Sequence, residues 1–278
     1  MSVPAPLRLR PMEIGDLLDE TFRMYRRNFV LFAGISVIVS LPSAALSGYG
    51  YSLFGNLLQQ ATTGAQPNFN FLASTLPALA LGFVINIACV PFFYASVVYA
   101  ACEAAEGRAV SAGQIFSAVV RRYFPLLSYF LLIGVMAIAF CLIPLWIWIW
   151  VGWLVVTPAM FAEDVGLVQA MGRSWRLVEG RWWRTFLVIF LVFIVQYIAR
   201  LALNAFIALG QYLLLIVAPS GIILGISGAT EVIVDSLVNP VLQIAIVLVY
   251  FDLRVRREGL DLFQLAQRVV NPLPAPSP

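Results

Sequence analysis

The sequence predicts an all-α integral membrane protein of about six transmembrane helices, paired into three hairpins, each preceded by an amphipathic helix at the cytoplasmic interface. Three observations predict it. Of 278 residues, 62% are hydrophobic and 11% charged, too apolar for an ordinary soluble domain. Sixteen of the seventeen cationic residues fall in the stretches 8–27, 108–122, 173–184 and 254–268. Between these lie three apolar blocks, each long enough for two helices of ~20 residues spanning ~30 Å of hydrocarbon. Two crossings per block return the chain to the same side. Because Arg and Lys accumulate in cytoplasmic loops, all four basic stretches and both termini are expected in the cytoplasm.

The N-terminal stretch carries Glu13, Asp16, Asp19 and Glu20 before its first apolar run, the wrong composition for a cleaved signal peptide. The crossings are expected near 28–48, 72–102, 123–143, 144–162, 183–208 and 229–252, the second and fifth with excess length. Residues 1–270 form one membrane domain, and the Pro-rich tail 271–278 is expected to be disordered.

Before the first crossing, Ile14, Leu17, Leu18, Phe22 and Tyr25 recur at helical spacing, with Asp16, Asp19, Glu20, Arg23, Arg26 and Arg27 on the other faces. Ile115, Phe116, Val119 and Tyr123 repeat this pattern beside Arg121 and Arg122, and Val168, Met171, Trp175 and Val178 beside Arg173 and Arg176. Thr21-Phe22-Arg23-Met24 returns as Ser174-Trp175-Arg176-Leu177, which suggests three parallel repeats. Such helices can lie in the headgroup plane and offer Arg to anionic lipid. Arg23, Arg26, Arg27, Arg173, Arg176, Arg181 and Arg184 are therefore the candidate lipid-phosphate contacts; topology and bracing are the alternative role.

Segment 49–70 has no charge and is rich in Asn, Gln, Gly and Thr, as expected of a flexible outward loop. Trp146, Trp148, Trp150 and Trp153, and separately Trp182 and Trp183, read as aromatic belts at the two interfaces. Glu163 and Asp164 precede a helix and suit its dipole.

Polar residues inside the apolar blocks supply the most specific chemistry. Gln196, Arg200 and Asn204 are spaced by four, as are Glu231, Asp235, Asn239 and Gln243, so each set lies along one helix face. At ~1.5 Å per residue from Arg184 and Asp252, Arg200 and Asp235 both lie ~25 Å along their helices. The same arithmetic pairs Gln196 with Asn239 and Asn204 with Glu231. Intramembrane charge is a functional hypothesis by default, here either a substrate or proton path, with Asn86 contributing, or a structural polar seam.

Segment 206–228 is too apolar for a solvated loop and contains Gly221-x-x-x-Gly225. It is a re-entrant hairpin, a helix extension, extra crossings, or a partner surface built on Phe206, Leu213, Leu214, Gly221 and Gly225.

The chain contains neither Lys nor His, which excludes a Walker A loop, a Schiff-base lysine and His-based acid/base or zinc sites. Cys89, Cys102 and Cys141 lack C-x-x-C spacing and read as buried apolar residues. No catalytic, metal or cofactor site is expected, and no nucleic-acid partner.

The stretches Leu9 to Asp19, Pro158 to Trp183 with Glu163-Asp164 and Arg173-Ser174-Trp175-Arg176, and Tyr250 to Gly259 together resemble the bacterial glycerophosphoryl diester phosphodiesterase membrane-domain family. The resemblance spans nearly the whole chain and implies a bacterial cytoplasmic membrane. It implies no phosphodiesterase activity, because that activity belongs to a separate soluble domain with a catalytic His. The expected function is a non-catalytic, lipid-contacting scaffold or accessory subunit that binds anionic lipid and a protein partner. The alternative is a small transporter or lipid-handling permease that uses the polar stripes.

Overall fold

The computed structural model describes residues 11–62, 69–138, 143–214 and 220–259. The described residues form helices α1 (Ile14–Arg27), α2 (Phe29–Thr62), α3 (Phe69–Ala105), α4 (Ala112–Arg121), α5 (Tyr123–Ile138), α6 (Ile143–Gly152), α7 (Val156–Ala162), α8 (Leu167–Val178), α9 (Trp182–Leu214), α10 (Ser220–Val238) and α11 (Pro240–Glu258). Five segments are long and apolar enough to cross a membrane, or six if α4 and α5, bent by 71°, count as one span. The chain is thus an all-helical multipass membrane protein. Its tail, Arg8, Arg10 and Cys141 lie outside the described residues.

The boundaries depart from expectation where tertiary packing overrides local composition. The segment 49–70, expected as a loop, is helical to Thr62 and again from Phe69. Its glycines serve a helix crossing. A Cβ on Gly48 would stand 2.9 Å from the Gly225 carbonyl, one on Gly55 2.9 Å from Gly221 Cα, and one on Gly228 2.4 Å from the Tyr51 ring. Glycine here admits backbone to backbone, as small residues do between membrane helices. Gly221 and Gly225 therefore pack on α2 within the chain, which corrects their assignment to a partner surface. Residues 206–214 extend α9 and 220–228 begin α10, so the helix extension is the alternative realised on the described residues. Phe206 is 77% exposed; the side chains of Leu213 and Leu214 lie outside the described set.

The third expected crossing is helical from Tyr123 to Ile138, residues 139–142 lying outside the described set, and the fourth is interrupted by a turn at 153–155. The Trp sets meet at one place. Trp182 Nε1 donates to the Trp148 carbonyl at 3.1 Å, and Trp148 lies edge-on to Trp175 at 4.7 Å. This corrects the reading of two separate belts: the packing of α6 against α9 brings Trp148 to Trp182.

Core packing centres on α11, which is buried almost all round from Pro240 to Val255, as a helix apolar on every face must be. The short helices bury one face each: Leu17, Thr21 and Met24 of α1, Ile115, Ala118 and Val119 of α4, Ala170, Ser174, Leu177 and Val178 of α8. Those faces pack on this chain's own core. Ser111 and Gln114 cap α4 reciprocally, and Gly259, at φ +61°, ends α11 in a left-handed turn.

Candidate functional site at a break in the last span

The last span, Gly221–Glu258, is not one helix. It breaks between α10 and α11 at Asn239, because Pro240 has no N–H to give the preceding turn. Two side chains from elsewhere supply donors to the carbonyls beside the break. Tyr25 Oη of α1 donates to Leu237 O at 2.6 Å, and Gln196 Nε2 of α9 donates to Val238 O at 2.8 Å. The stripe on α9 thus meets that on α10 partly through backbone. Gln196 and Asn239 come together as expected, but through the Asn239 carbonyl, at 3.5 Å.

One turn above, Arg200 Nε stands 2.8 Å from Asp235 Oδ1 and its Nη2 3.5 Å from Glu231 Oε1. Oδ1 of Asp235 nevertheless accepts no hydrogen bond, so the contact is Coulombic, with the N–H aimed away. Tyr51 Oη donates to the other Glu231 oxygen at 3.4 Å. The Asn204 side chain makes no hydrogen bond among the described residues, so its expected pairing with Glu231 does not form; Arg200 and Tyr51 occupy that carboxylate. Gln243 is buried one turn beyond Asn239.

Asp235 and Asn239 line a cleft of ≈ 190 Å³ with Ser40 and Ser43 of α2 and Asn86, Cys89, Val90, Phe93 and Tyr94 of α3. Ser40, Asn86 and Asp235 lie roughly 18–28 Å along their helices from Asn28, Ala105 and Asp252 at the basic end, which is membrane depth. Asn86 joins the stripes as expected; the two serines and Tyr94 could not be placed from sequence. The side chains of Ser43, Asn86, Tyr94 and Asn239 make no hydrogen bond among the described residues. Such groups are costly in hydrocarbon, and this volume far exceeds the ~10–15 Å³ that one water needs. The cleft shares Val90 with an apolar groove of ≈ 420 Å³ formed by Phe83, Ile87, Leu127, Phe130, Leu131, Gly134 and Val135. A polar recess beside an apolar groove matches the two ends of an amphiphile.

A second polar cluster occupies the basic end, on residues far apart in sequence. Asp252 is fully buried, with Arg184 Nη1 at 2.6 Å, Arg256 Nε at 3.0 Å and the Met12 N–H at 2.9 Å. Both guanidinium groups also donate to the Met12 carbonyl. Beside it, Glu163 accepts from Tyr250 Oη at 2.8 Å and from Arg173 Nε at 3.0 Å, with Arg254 at 3.6 Å. Arg173 also pairs with Glu258, and Arg122 with Asp164. Glu163 is therefore an ion-pair hub, not mainly a dipole partner of α8. The quoted stretches around Met12, Glu163, Arg173 and Tyr250 to Glu258 converge here.

This network corrects part of the expected lipid-phosphate set. Arg173 and Arg184 are committed to carboxylates within the chain, and Arg23 pairs with Glu20 at 3.1 Å. Arg26, Arg27 and Arg176 are exposed and have no ion pair among the described residues; Arg181 donates to the Arg256 carbonyl. Among the described residues, no group of three His, Cys, Asp or Glu side chains could hold a metal ion. No family model, curated protein or solved structure matches this chain.

Proposed function

We propose that this chain is a non-catalytic lipid-handling protein that takes the polar end of an amphiphile into the cleft of Ser40, Ser43, Asn86, Tyr94, Asp235 and Asn239 while the acyl part lies along the apolar groove beside it. One observation carries the reading: unspent hydrogen-bonding groups collected at membrane depth against an apolar groove that shares their wall. The broken last span supports it, since interrupted helices with unwound carbonyls line the binding sites of membrane transporters. The arrangement proposed with it is three hairpins with α1, α4 and α8 at the cytoplasmic interface of a bacterial inner membrane, both termini inside.

The native thiol of Cys89 tests the reading because it lines the cleft, whereas Cys102 is buried. In vesicles of a Cys102→Ser/Cys141→Ser variant, a membrane-impermeant thiol reagent labels Cys89, and added single-chain phospholipid slows the labelling. A Cys89 that stays unreactive from both sides means a sealed structural seam and sinks the proposal.

The accessory-subunit reading keeps one observation of its own. α2, α3 and α9 are 34, 37 and 33 residues long, or roughly 50–55 Å, against ~30 Å of hydrocarbon. Their uncharged ends expose Phe54, Leu58, Leu76, Phe206, Leu209 and Tyr212. A protein partner over these ends would appear at fixed stoichiometry when the chain is extracted with its native lipid.

A further inference from the structure

We infer that the polar end taken into the cleft is an ammonium group, with Asp235 as its counter-ion; the inference rests on the lipid-handling reading and names the headgroup. It starts from the charges at membrane depth. Across residues 28–102, 123–162 and 185–251 the charged side chains are Arg200, Glu231 and Asp235. Both carboxylates contact the one guanidinium, Asp235 at 2.8 Å and Glu231 at 3.5 Å. One positive charge against two negative ones leaves the set one cation short. The next arginine along α9, Arg184, lies ~24 Å away at ~1.5 Å per residue, too far to make up the balance. Intramembrane charges pair with one another, and a cationic ligand completes this set.

The walls of the cleft select the same sign. Asp235 lines it and no arginine does. An ammonium carries three donors and no acceptor, and the side-chain oxygens of Ser43, Asn86 and Asn239, which line the same recess, are free to accept from it. Phe93 and Tyr94 also line the recess, and the faces of aromatic rings attract cations. Tyr94 stacks on Phe130 of the apolar groove at 5.3 Å, so the place for the charge adjoins the place for the chain. A phosphate here would find neutral donors only and would face the Asp235 carboxylate. The ligand class is therefore an amphiphile whose head carries an amine.

The test compares three probes with one dodecyl chain: dodecylammonium, dodecylglycerol and dodecyl phosphate. Each is added to vesicles of the full-length Cys102→Ser/Cys141→Ser variant, and protection of Cys89 from an uncharged, membrane-impermeant maleimide is read against probe content. Dodecylammonium is expected to protect at about tenfold lower content than dodecylglycerol, the low end for a close charge pair across an interface, and dodecyl phosphate to protect least. Asp235→Asn should abolish that advantage, and Arg200→Gln, which removes the competing cation, should widen it. Equal protection by dodecylglycerol, or better protection by dodecyl phosphate, would overturn the ammonium while leaving the lipid-handling reading standing. No protection by any probe would overturn that reading and this inference with it. An advantage that survives Asp235→Asn, or a uniform loss across the three probes, marks a structural role for the carboxylate and overturns the inference. If Asp235→Asn does not fold, Arg200→Gln carries the comparison, and an unchanged ratio between the probes overturns it.

Discussion

Replacing Asp252 with Asn tests whether the basic-end network holds the bundle together. The carboxylate is 0% exposed and is contacted by Arg184, Arg256 and the Met12 N–H at 2.6–3.0 Å. Asparagine keeps the shape and one acceptor for Met12, but it turns an N–H₂ toward guanidinium donors and leaves two cations beside each other. Removing one partner of a buried pair costs about 3–5 kcal/mol. Charge-assisted hydrogen bonds lost at about 1.5–3 kcal/mol each give the same range. At a few degrees per kcal/mol, the unfolding midpoint should drop on the order of 10 °C, measured by thermal unfolding in lipid discs. Because Arg184 and Arg256 also hold the Met12 carbonyl, amide exchange at Met12 and Glu13 should accelerate in the same variant. Adding Arg184→Gln to Asp252→Asn should recover part of the loss, since the second change removes a stranded cation. A single variant within about 1 kcal/mol of wild type would refute the reasoning, because a network worth that little is a solvated surface cluster.

The glycine seam makes a paired prediction. Gly48→Ala drives a Cβ against the Gly225 carbonyl at 2.9 Å and should cost about 1–3 kcal/mol, whereas Gly15→Ala meets nothing within 4 Å and should stabilise α1 by about 0.5–1 kcal/mol; unfolding midpoints of the two variants check the contrast. Gln196→Leu removes the donor to Val238 O and should cost about 1–3 kcal/mol, with faster labelling of Cys89 as the break loosens. Burial raises the Tyr25 phenol from its ordinary 10.0 to about 12. Between those values the unfolded chain ionises and the folded one does not, so stability falls as pH rises from 10 toward 12; the decline should be shallower in Tyr25→Phe, read from midpoints across that range.

The membrane class was legible because it rests on composition and on where charge falls, which the bilayer reads directly. The alignment of Arg200 with Asp235 was legible for a similar reason: helical rise is constant, so equal sequence distance from two charged ends means equal height in neighbouring antiparallel helices. The two matched runs agree in burial. Thr21 and Ser174 are both buried, Arg23 and Arg176 both exposed, Met24 and Leu177 both buried. Gly55 was misread as a loop residue because a turn and a tight crossing select the same residue, the first for its backbone freedom and the second for its missing side chain. Which arginines face lipid was not legible, since Arg173 and Arg184 are claimed by carboxylates roughly 10 and 68 positions away, and such pairings belong to tertiary structure. The break at Asn239 was marked by Pro240, but its consequence depends on Tyr25 and Gln196, one on α1 and one on α9.

That dependence explains why the cleft lies where it does. A proline inside an apolar span leaves carbonyls that neither water nor lipid can satisfy, so the break is stable only where other helices bring donors. Tyr25 and Gln196 do this at Leu237 and Val238, beside the cleft. With the carbonyls bonded, the side chains of Asp235 and Asn239 are left facing Asn86 and Tyr94 across a recess. If the polar stripes served only to bind helices together, their groups should bond to one another, as the carboxylates at the basic end do. Gln196 does bond across the helices, whereas Asn86, Tyr94 and Asn239 do not. The membrane-depth polar groups therefore divide into those that tie helices together, Gln196 to the backbone and Arg200 to Asp235 and Glu231, and those, Asn86, Tyr94 and Asn239, that remain open toward the cleft, and it is the second set whose hydrogen bonds a ligand can use.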